Sequence, residues 1–239
     1  MGSIVTKKDN ETETKCTLPD QLAKGVLDYG LDRIRYGYEN VVSTMISGRD
    51  LVVQKLGENC RIDYFLVGAL AHFKKKHFVL SAPQILLLSP TRERAMSHRW
   101  LMQAILSGGD GNPAGICLTY ACVGGKPMKD DRKALTDVGP DGEMVQVILG
   151  TPGRLTDLMN RDILLCSNIK MVILDHASYL LQKTCFGKEV TDILNRIKKN
   201  GVQVCIFTDT VTETVQEFVT AYTIDPVSLP SPVPAVANT

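Results

Sequence analysis

The sequence lacks the features that direct a chain into a membrane or toward a strongly charged partner. Its apolar runs, such as residues 85–88 and 171–174, are far shorter than the roughly 20 residues that a transmembrane helix needs. The formal net charge is only +1, so any nucleic-acid site must be a local patch. The polar stretch at residues 6–15 contains no apolar signal-peptide core. We therefore expect a cytoplasmic or nuclear protein without a membrane partner.

The cysteines lack the spacing of a metal site or a disulfide framework. Their number, seven, is odd, no Cys-x-x-Cys pair occurs, and no histidine stands at metal-ligand spacing from them. The sequence therefore predicts reduced, mostly buried thiols and no metal site. The cysteines are Cys16, Cys60, Cys117, Cys122, Cys166, Cys185 and Cys205.

Short runs rich in Val, Ile and Leu alternate along the chain with segments of helical periodicity. The runs predict buried strands at residues 50–54, 84–89, 115–121, 144–149, 170–175 and 202–207. The helical segments are residues 62–73, 92–106, 154–160, 189–199 and 213–222. A further helix is predicted near Thr17, and Trp100 is predicted to lie in the core. Alternating strands and helices predict a doubly wound parallel α/β sheet flanked by helices.

Three segments that follow predicted strands contain residues suited to binding phosphate. They are residues 90–95 (PTRERA), the pair Gly124 and Gly125, and residues 151–154 (TPGR). In parallel α/β sheets ligands bind at the carboxyl ends of the strands. Backbone amides at a helix N-terminus bind a phosphate, and arginine adds a fork of donors. Each segment alone is also an ordinary strand-to-helix turn, so the functional interpretation depends on all three together.

In order and spacing these segments resemble the PTRELA, GG and TPGR motifs of DEAD-box RNA helicases, with Arg94 in place of Leu. The resemblance runs from about residue 22 to 226 and implies the first RecA-like domain of such a helicase. It also implies binding to the sugar-phosphate backbone of single-stranded RNA without sequence preference. The implied RNA-binding residues are Pro90, Thr91, Arg92, Gly124, Gly125, Thr151, Pro152, Gly153 and Arg154.

The loop that holds ATP in this family departs from the family's pattern here. Its form A-x-x-G-x-G-K-T places glycine amides and lysine on the phosphates and threonine on Mg²⁺. No Gly-Lys-Thr occurs in the chain, and the aligned positions include Glu58, Cys60, Arg61 and Ile62. A carboxylate about 4 Å from a phosphate costs about 4 kcal/mol at an effective dielectric near 20. We therefore expect ATP and magnesium binding to be weak or absent, and no cofactor.

The other ATP-side motifs change in the same direction. Residues 172–178 (VILDHAS) occupy the place of the family's V-L-D-E-A-D box, in which Asp175 remains as the metal-side aspartate. His176 replaces the acid that activates water, and Ser178 replaces the second aspartate. Residues 207–210 (FTDT) resemble the S-A-T motif with Asp in place of Ala. The resemblance therefore implies no catalytic residue and no metal site.

The chain is expected to divide into three regions. These are a flexible N-terminal segment (residues 1–16), a degenerate RecA-like domain (17–227), and a proline-rich tail or start of an interdomain linker (228–239). The intact protein is expected to supply a second RecA-like lobe.

The leading hypothesis is a catalytically inactive helicase-like module that binds single-stranded RNA without hydrolysing ATP. One alternative is a protein-interaction scaffold in which Arg92 and Thr151 persist only to anchor the fold. Another is a surviving ATP-dependent helicase lobe that uses Arg61, His176 and Asp175. The lost motifs are also similar to those of Tudor-domain helicase-like proteins of the germline small-RNA pathway, which implies a place in cytoplasmic ribonucleoprotein granules.

Overall fold

The computed structural model describes residues 2–6, 14–18, 20–29, 38–54, 64–75, 82–107, 117–139, 142–197 and 201–230. The helices within these residues are α1 (Asp20–Asp28), α2 (Tyr38–Ser47), α3 (Tyr64–Lys75), α4 (Arg92–Ser107), α5 (Met128–Thr136), α6 (Pro152–Asn160), α7 (Ala177–Leu180), α8 (Gly187–Ile197) and α9 (Glu213–Tyr222). The strands are β1 (Gly2–Thr6), β2 (Thr14–Leu18), β3 (Leu51–Gln54), β4 (Ile85–Leu88), β5 (Thr119–Cys122), β6 (Val147–Gly150), β7 (Met171–Asp175), β8 (Gln203–Thr208) and β9 (Val227–Pro230).

Seven of these strands form one parallel sheet in the order β5-β6-β4-β7-β8-β3-β9. The register places Leu88 of β4 beside Leu174 of β7 and Gly150 of β6. Because the paired strands all run the same way, their carboxyl ends share one edge of the sheet. We call this the loop edge, and the segments at residues 90–95, 124–125 and 151–154 each follow a strand that ends there. The predicted parallel α/β sheet flanked by helices is confirmed.

Each face of the sheet has its own apolar core, because successive strand residues point to opposite faces. In β4, Ile85 and Leu87 pack with residues of α1 to α4. Leu86 and Leu88 pack on the other face with residues of α5 to α9. Burial on both faces explains why these strands are continuous apolar runs rather than alternating ones. Helices from both layers therefore begin at the loop edge, α4 on one face and α6 on the other.

The six predicted strands correspond to β3 through β8, and the five predicted helices to α3, α4, α6, α8 and α9. The helix predicted near Thr17 begins at Asp20 instead, because Thr17 lies in β2 and pairs with Ser3. This boundary was wrong because the antiparallel pairing of β1 with β2 was not foreseen.

Several elements were not predicted from the sequence. The strands β1 and β2 lie at the N-terminus, where residues 1–16 were predicted to be flexible. Strand β9 pairs with β3 and carries the sheet to Pro230, beyond the predicted domain end at residue 227. Helix α5 is mostly polar and buries only Asp131 and Leu135, so its sequence shows little helical apolar periodicity.

Trp100 does not lie in the core as predicted. It is 68% exposed, whereas its neighbours Leu101 and Ile105 are buried. Successive helical residues are about 100° apart, so Trp100 lies outside the stripe of α4 that faces the sheet. In the described part of the chain, no helix has both the length and the apolarity needed to cross a bilayer.

The five cysteines with described side chains form no disulfide, and only some are buried. Cys122 and Cys205 are buried, whereas Cys117, Cys166 and Cys185 are partly exposed. Burial raises the pKa of the Cys122, Cys166 and Cys205 thiols. The prediction of mostly buried thiols therefore holds for two of these five residues.

Candidate nucleic-acid interface

The three segments predicted to bind phosphate lie next to one another on the loop edge. They follow β4, β5 and β6, which are consecutive in the sheet in the order β5-β6-β4. Their separation in sequence therefore disappears in the fold. We call these loops, which the resemblance predicts to bind RNA, the RNA-side half of the edge. The loops that follow β7 and β8, which the resemblance places at the ATP site of the family, we call the ATP-side half.

A hydrogen bond joins the first and second segments. Nη1 of Arg92 donates to the carbonyl oxygen of Gly124 at 3.1 Å, while the side chain remains exposed. Gly125 has a φ of +85°, and a Cβ there would lie 2.5 Å from Nη1 of Arg92. The left-handed backbone conformation therefore favours glycine at this position. The exposed Arg92 guanidinium can move aside and adds little to that requirement.

Arg154 joins the second and third segments. Its Nη2 donates to the carbonyl oxygen of Lys126 at 2.8 Å, and its Nε donates to Oδ2 of Asp131 at 2.6 Å. Tyr120 donates its hydroxyl to the other oxygen of Asp131 at 3.0 Å. Burial and then this bond to Asp131 raise the pKa of Tyr120. The Arg154 side chain is only 12% exposed. Through Asp131 it links α6 to α5 and to Tyr120 of β5.

The sequence offered no sign of this cluster around Asp131. The residue lies in the polar run at 129–133 (KDDRK), which is typical of a solvated helix face. In the structure Asp131 is fully buried, and Tyr120 of β5 and Arg154 of α6 both bond to its carboxylate.

The first turn of α6 presents backbone donors toward the loop edge. Thr151 is the N-cap in an extended conformation, and its side chain makes no capping hydrogen bond. The first amides of a helix have no intrahelical acceptor. Gly153 is exposed, and a Cβ built on Gly153 or on Gly124 would meet no atom within 4 Å. An anion can therefore approach the backbone closely at both glycines.

The structure places the predicted RNA-side residues together but exposes them unequally. Thr91 also caps α4, where its Oγ1 accepts from the amide of Arg94 at 3.2 Å. The exposed members are Thr91, Arg92, Gly125 and Gly153. The partly exposed members are Pro90, Gly124, Thr151 and Arg154, and Pro152 is buried.

On the ATP-side half, Asp175 is already occupied by a cation. Nε of Arg94 donates to Oδ2 at 2.8 Å, and Nη2 donates to Oδ1 at 3.0 Å. The Asp175 side chain is fully buried and that of Arg94 is 30% exposed. A divalent ion about 4 Å from this guanidinium is opposed by about 8 kcal/mol at an effective dielectric near 20. In the family's motif the aspartate at this position lies on the metal side, and the residues present here do not fit a metal ion.

Two further substituted positions are partners of each other. Nδ1 of His176 lies in close polar contact with Oδ2 of Asp209, and His176 has a left-handed φ of 57°. The amide of Ser178 donates to Oγ1 of Thr208 at 3.1 Å, which also links the loops after β7 and β8. The histidine that replaces the water-activating acid is thus held by the aspartate that replaces alanine.

The phosphate-loop positions Glu58, Cys60, Arg61 and Ile62 lie outside the described residues. Among the residues that the structure does describe, no group of three or more His, Cys, Asp or Glu side chains is arranged to hold a metal ion.

The parallel sheet order, the helices on both faces and the loop edge define a RecA-like α/β domain. The chain belongs to the DEAD/DEAH box helicase family, whose model matches residues 63–218. It is 30% identical over 230 residues to the ATP-dependent RNA helicase eIF4A of Phaeosphaeria nodorum, covering 95% of this chain and 54% of that protein. It is 30% identical over 225 residues to the ATP-dependent RNA helicase FAL1 of Saccharomyces cerevisiae, covering 93% and 52%.

Solved structures share the fold. A DEAD box protein from Methanococcus jannaschii has a TM-score of 0.75 and 20% identity, covering 97% of this chain and 57% of that one. Saccharomyces cerevisiae Dbp5 bound to RNA and ADP BeF3 has a TM-score of 0.73 and 20% identity, covering 90% and 50%. This chain thus spans about half the length of the relatives that it matches.

Proposed function

We propose that this chain is a helicase-like module that binds the sugar-phosphate backbone of single-stranded RNA and does not hydrolyse ATP. The observation that carries the proposal is the division of the loop edge. The RNA-side half keeps the family's motif residues except at Arg94. The ATP-side half has His176 and Ser178 where the motif has acidic residues. Its remaining aspartate, Asp175, is paired with Arg94. Random divergence would have altered both halves alike.

The RNA-side half has the chemistry that a phosphate requires. The guanidinium of Arg92 is exposed, and the amides in the first turn of α6 lie beside the open backbone of Gly153. Positive helix-terminal dipoles and arginine together favour an anion. Because these groups contact the backbone and not base edges, the binding is independent of sequence. One lobe makes few phosphate contacts, so we expect a dissociation constant of about 10⁻⁶ M or weaker.

Among the described residues of the ATP-side half, the groups that could hold a metal or activate water are already engaged with other side chains. Asp175 is saturated by Arg94, and His176 is engaged with Asp209. Phosphoryl transfer depends on positioned metal ions and on a residue that orients the nucleophile. These contacts favour a pseudo-helicase over the alternative of a surviving ATPase that uses Asp175 and His176.

The scaffold alternative also accounts for the retained arginines. Arg92 bonds to the Gly124 carbonyl, and Arg154 bonds to Asp131 and the Lys126 carbonyl. Both arginines therefore stabilise the fold without RNA, and their retention alone does not separate the two functions. A test must use positions that RNA needs and the fold does not.

The relatives are about twice as long as this chain, so we propose that a second RecA-like lobe of the intact protein completes the RNA path. A related solved structure contains Dbp5 with nup159 and gle1, and we propose that protein partners also bind here. A cytoplasmic granule or nuclear location, and the similarity to Tudor-domain helicase-like proteins, stay predictions.

The experiment is RNA titration of Gly153→Asp, with Thr214→Asp as the matched control. Gly153 and Thr214 both occupy the second position of a helix, in α6 and α9, and both are exposed. An acidic residue there suits the helix dipole, so both variants are expected to fold. The two helices follow β6 and β8, about 14 Å apart across three strand spacings, which exceeds the Debye length of about 10 Å at 0.1 M salt.

Fluorescence anisotropy with a labelled single strand of about 15 nucleotides measures the affinity. We expect Gly153→Asp to weaken binding about fivefold or more, since a charge about 4 Å from a phosphate costs about 1 kcal/mol in water. Thr214→Asp is expected to bind like the wild type. Equal affinities for all three proteins contradict the RNA path, and no wild-type binding at about 50 mM salt favours the scaffold.

A second measurement tests the proposal that the module does not hydrolyse ATP. Phosphate release from ATP with magnesium and RNA is expected to equal the rate without protein. RNA-stimulated release by the wild type that His176→Ala abolishes would restore the ATPase alternative.

A further inference from the structure

Asp175 and Arg94 form a two-point ion pair at the carboxyl end of β7. Each carboxylate oxygen accepts one hydrogen bond, at 2.8 Å from Nε and 3.0 Å from Nη2. This arrangement uses the planar fork of arginine and is the geometry that binds a carboxylate most strongly. The carboxylate has lost all contact with solvent, whereas the guanidinium is 30% exposed.

The backbone holds Arg94 in place for this contact. Its amide donates to the capping hydroxyl oxygen of Thr91 at 3.2 Å, which fixes the first turn of α4. Strand β4 lies beside β7, with Leu88 paired to Leu174. The helix that follows β4 therefore begins next to Asp175, and a long side chain from its first turn reaches the carboxylate.

A second side chain of α4 approaches the same carboxylate. His98 lies one turn after Arg94, with Nε2 at 3.9 Å from Oδ2 of Asp175. Its Nδ1 contacts Oγ of Ser89 at 3.3 Å, and both His98 and Ser89 are buried. The carboxylate thus sits in a polar cluster formed by β4, α4 and β7.

We infer that Arg94 is a built-in cation that replaces the divalent ion at Asp175, and that Asp175 is a structural partner of Arg94 and not a metal ligand. Arg94 stands where the family's motif has leucine. The arginine therefore occurs in the same chain as the changed residues His176 and Ser178. The inference deepens the ATP-independent part of the proposed function and rests on that part alone. It does not depend on whether the RNA-side half binds RNA.

The first test is Mn²⁺ binding to the wild-type chain, measured by electron paramagnetic resonance of the free ion. Asp175→Asn removes the carboxylate charge at constant shape, and Asp130→Asn removes an exposed carboxylate of α5 as the control. We expect the three proteins to bind Mn²⁺ equally weakly. Wild-type binding that Asp175→Asn abolishes and Asp130→Asn preserves would overturn the inference. RNA titration of the same samples reports the proposed RNA function separately.

The second test measures the ion pair by thermal unfolding. Arg94→Leu restores the family's residue and leaves Asp175 buried without its cation, so we expect its midpoint to fall by about 10 °C. Adding Asp175→Asn to Arg94→Leu removes that charge and is expected to recover part of the loss. An Arg94→Leu midpoint equal to that of the wild type would overturn the inference. If Arg94→Leu does not fold, the Mn²⁺ titration still decides, because it uses only chains that retain Arg94.

Discussion

Arg154 donates from Nε to Oδ2 of Asp131 at 2.6 Å, and this ion pair joins the N-terminal turn of α6 to α5. Asp131 is fully buried and the Arg154 side chain is 12% exposed, so water hardly competes for the contact. Arg154 is the arginine of the TPGR segment and was predicted to bind RNA. A change at this residue therefore affects the fold before it affects RNA binding.

Arg154→Ala is expected to lower the free energy of unfolding by about 3–5 kcal/mol, because it leaves the Asp131 carboxylate buried without its cation. Arg161→Ala, at the C-cap of the same helix, is the matched control. Its ion pair with Asp157 has the side chains 58% and 41% exposed, so a loss below about 1 kcal/mol is expected. Urea unfolding measures both. Similar losses in the two variants would contradict the buried role of Arg154.

Gly25→Ala is expected to destabilise the chain by about 1–3 kcal/mol through overpacking. A Cβ at Gly25 would lie 1.8 Å from the carbonyl oxygen of Ile105, so α1 and α4 would have to separate. Gly153→Ala is the control, because a Cβ there meets open space and alanine favours the helix by up to about 1 kcal/mol. Differential scanning fluorimetry distinguishes them, and an unchanged Gly25→Ala midpoint would show that the helices do not pack this closely.

Stability is expected to fall at alkaline pH because of the buried thiols. Burial raises the pKa of Cys122 and Cys205, whereas the unfolded thiols titrate near about 8.5. Their contribution is therefore complete below about pH 8.5 and is lost as the pH rises toward the folded pKa. Each thiol contributes a slope of up to about 1.4 kcal/mol per pH unit.

Urea unfolding of Cys205→Ala between about pH 8 and 10 checks this slope, which should be shallower than in the wild type. Cys185→Ala is the comparison at a partly exposed position. Parallel slopes for the wild type and Cys205→Ala would refute the assignment to this thiol.

His176 and Asp209 are expected to stabilise each other by about 0.5–1 kcal/mol, as a partly exposed pair. A double-mutant cycle with His176→Ala and Asp209→Ala measures this coupling from urea unfolding. Both residues depart from the family's pattern, and a positive coupling supports their having changed together. Strictly additive effects would instead indicate that the pair contributes nothing to stability.

Much of the candidate site was predictable because local sequence determines where strands end. The apolar runs at β4 and β6 and the glycines that follow β5 placed the motif segments on one edge of a parallel sheet. Capping by Thr91 and the N-terminal position of Pro152 in α6 are likewise local properties. The exposure of Trp100 was not predicted. Apolar neighbours along a helix do not establish whether a residue lies on the buried face or outside it.

The sequence by itself determined the strand and helix order, the parallel sheet, and the contrast between retained and altered motifs. Only the tertiary structure decided which polar side chains pair: Arg94 with Asp175, Arg154 with Asp131, and His176 with Asp209. Hydrophobic periodicity is a pattern of residues close together in the chain, so it can be read from the sequence. These three pairs join residues that are 23 to 81 positions apart in the sequence. They therefore depend on strand order and register, which no local sequence pattern specifies.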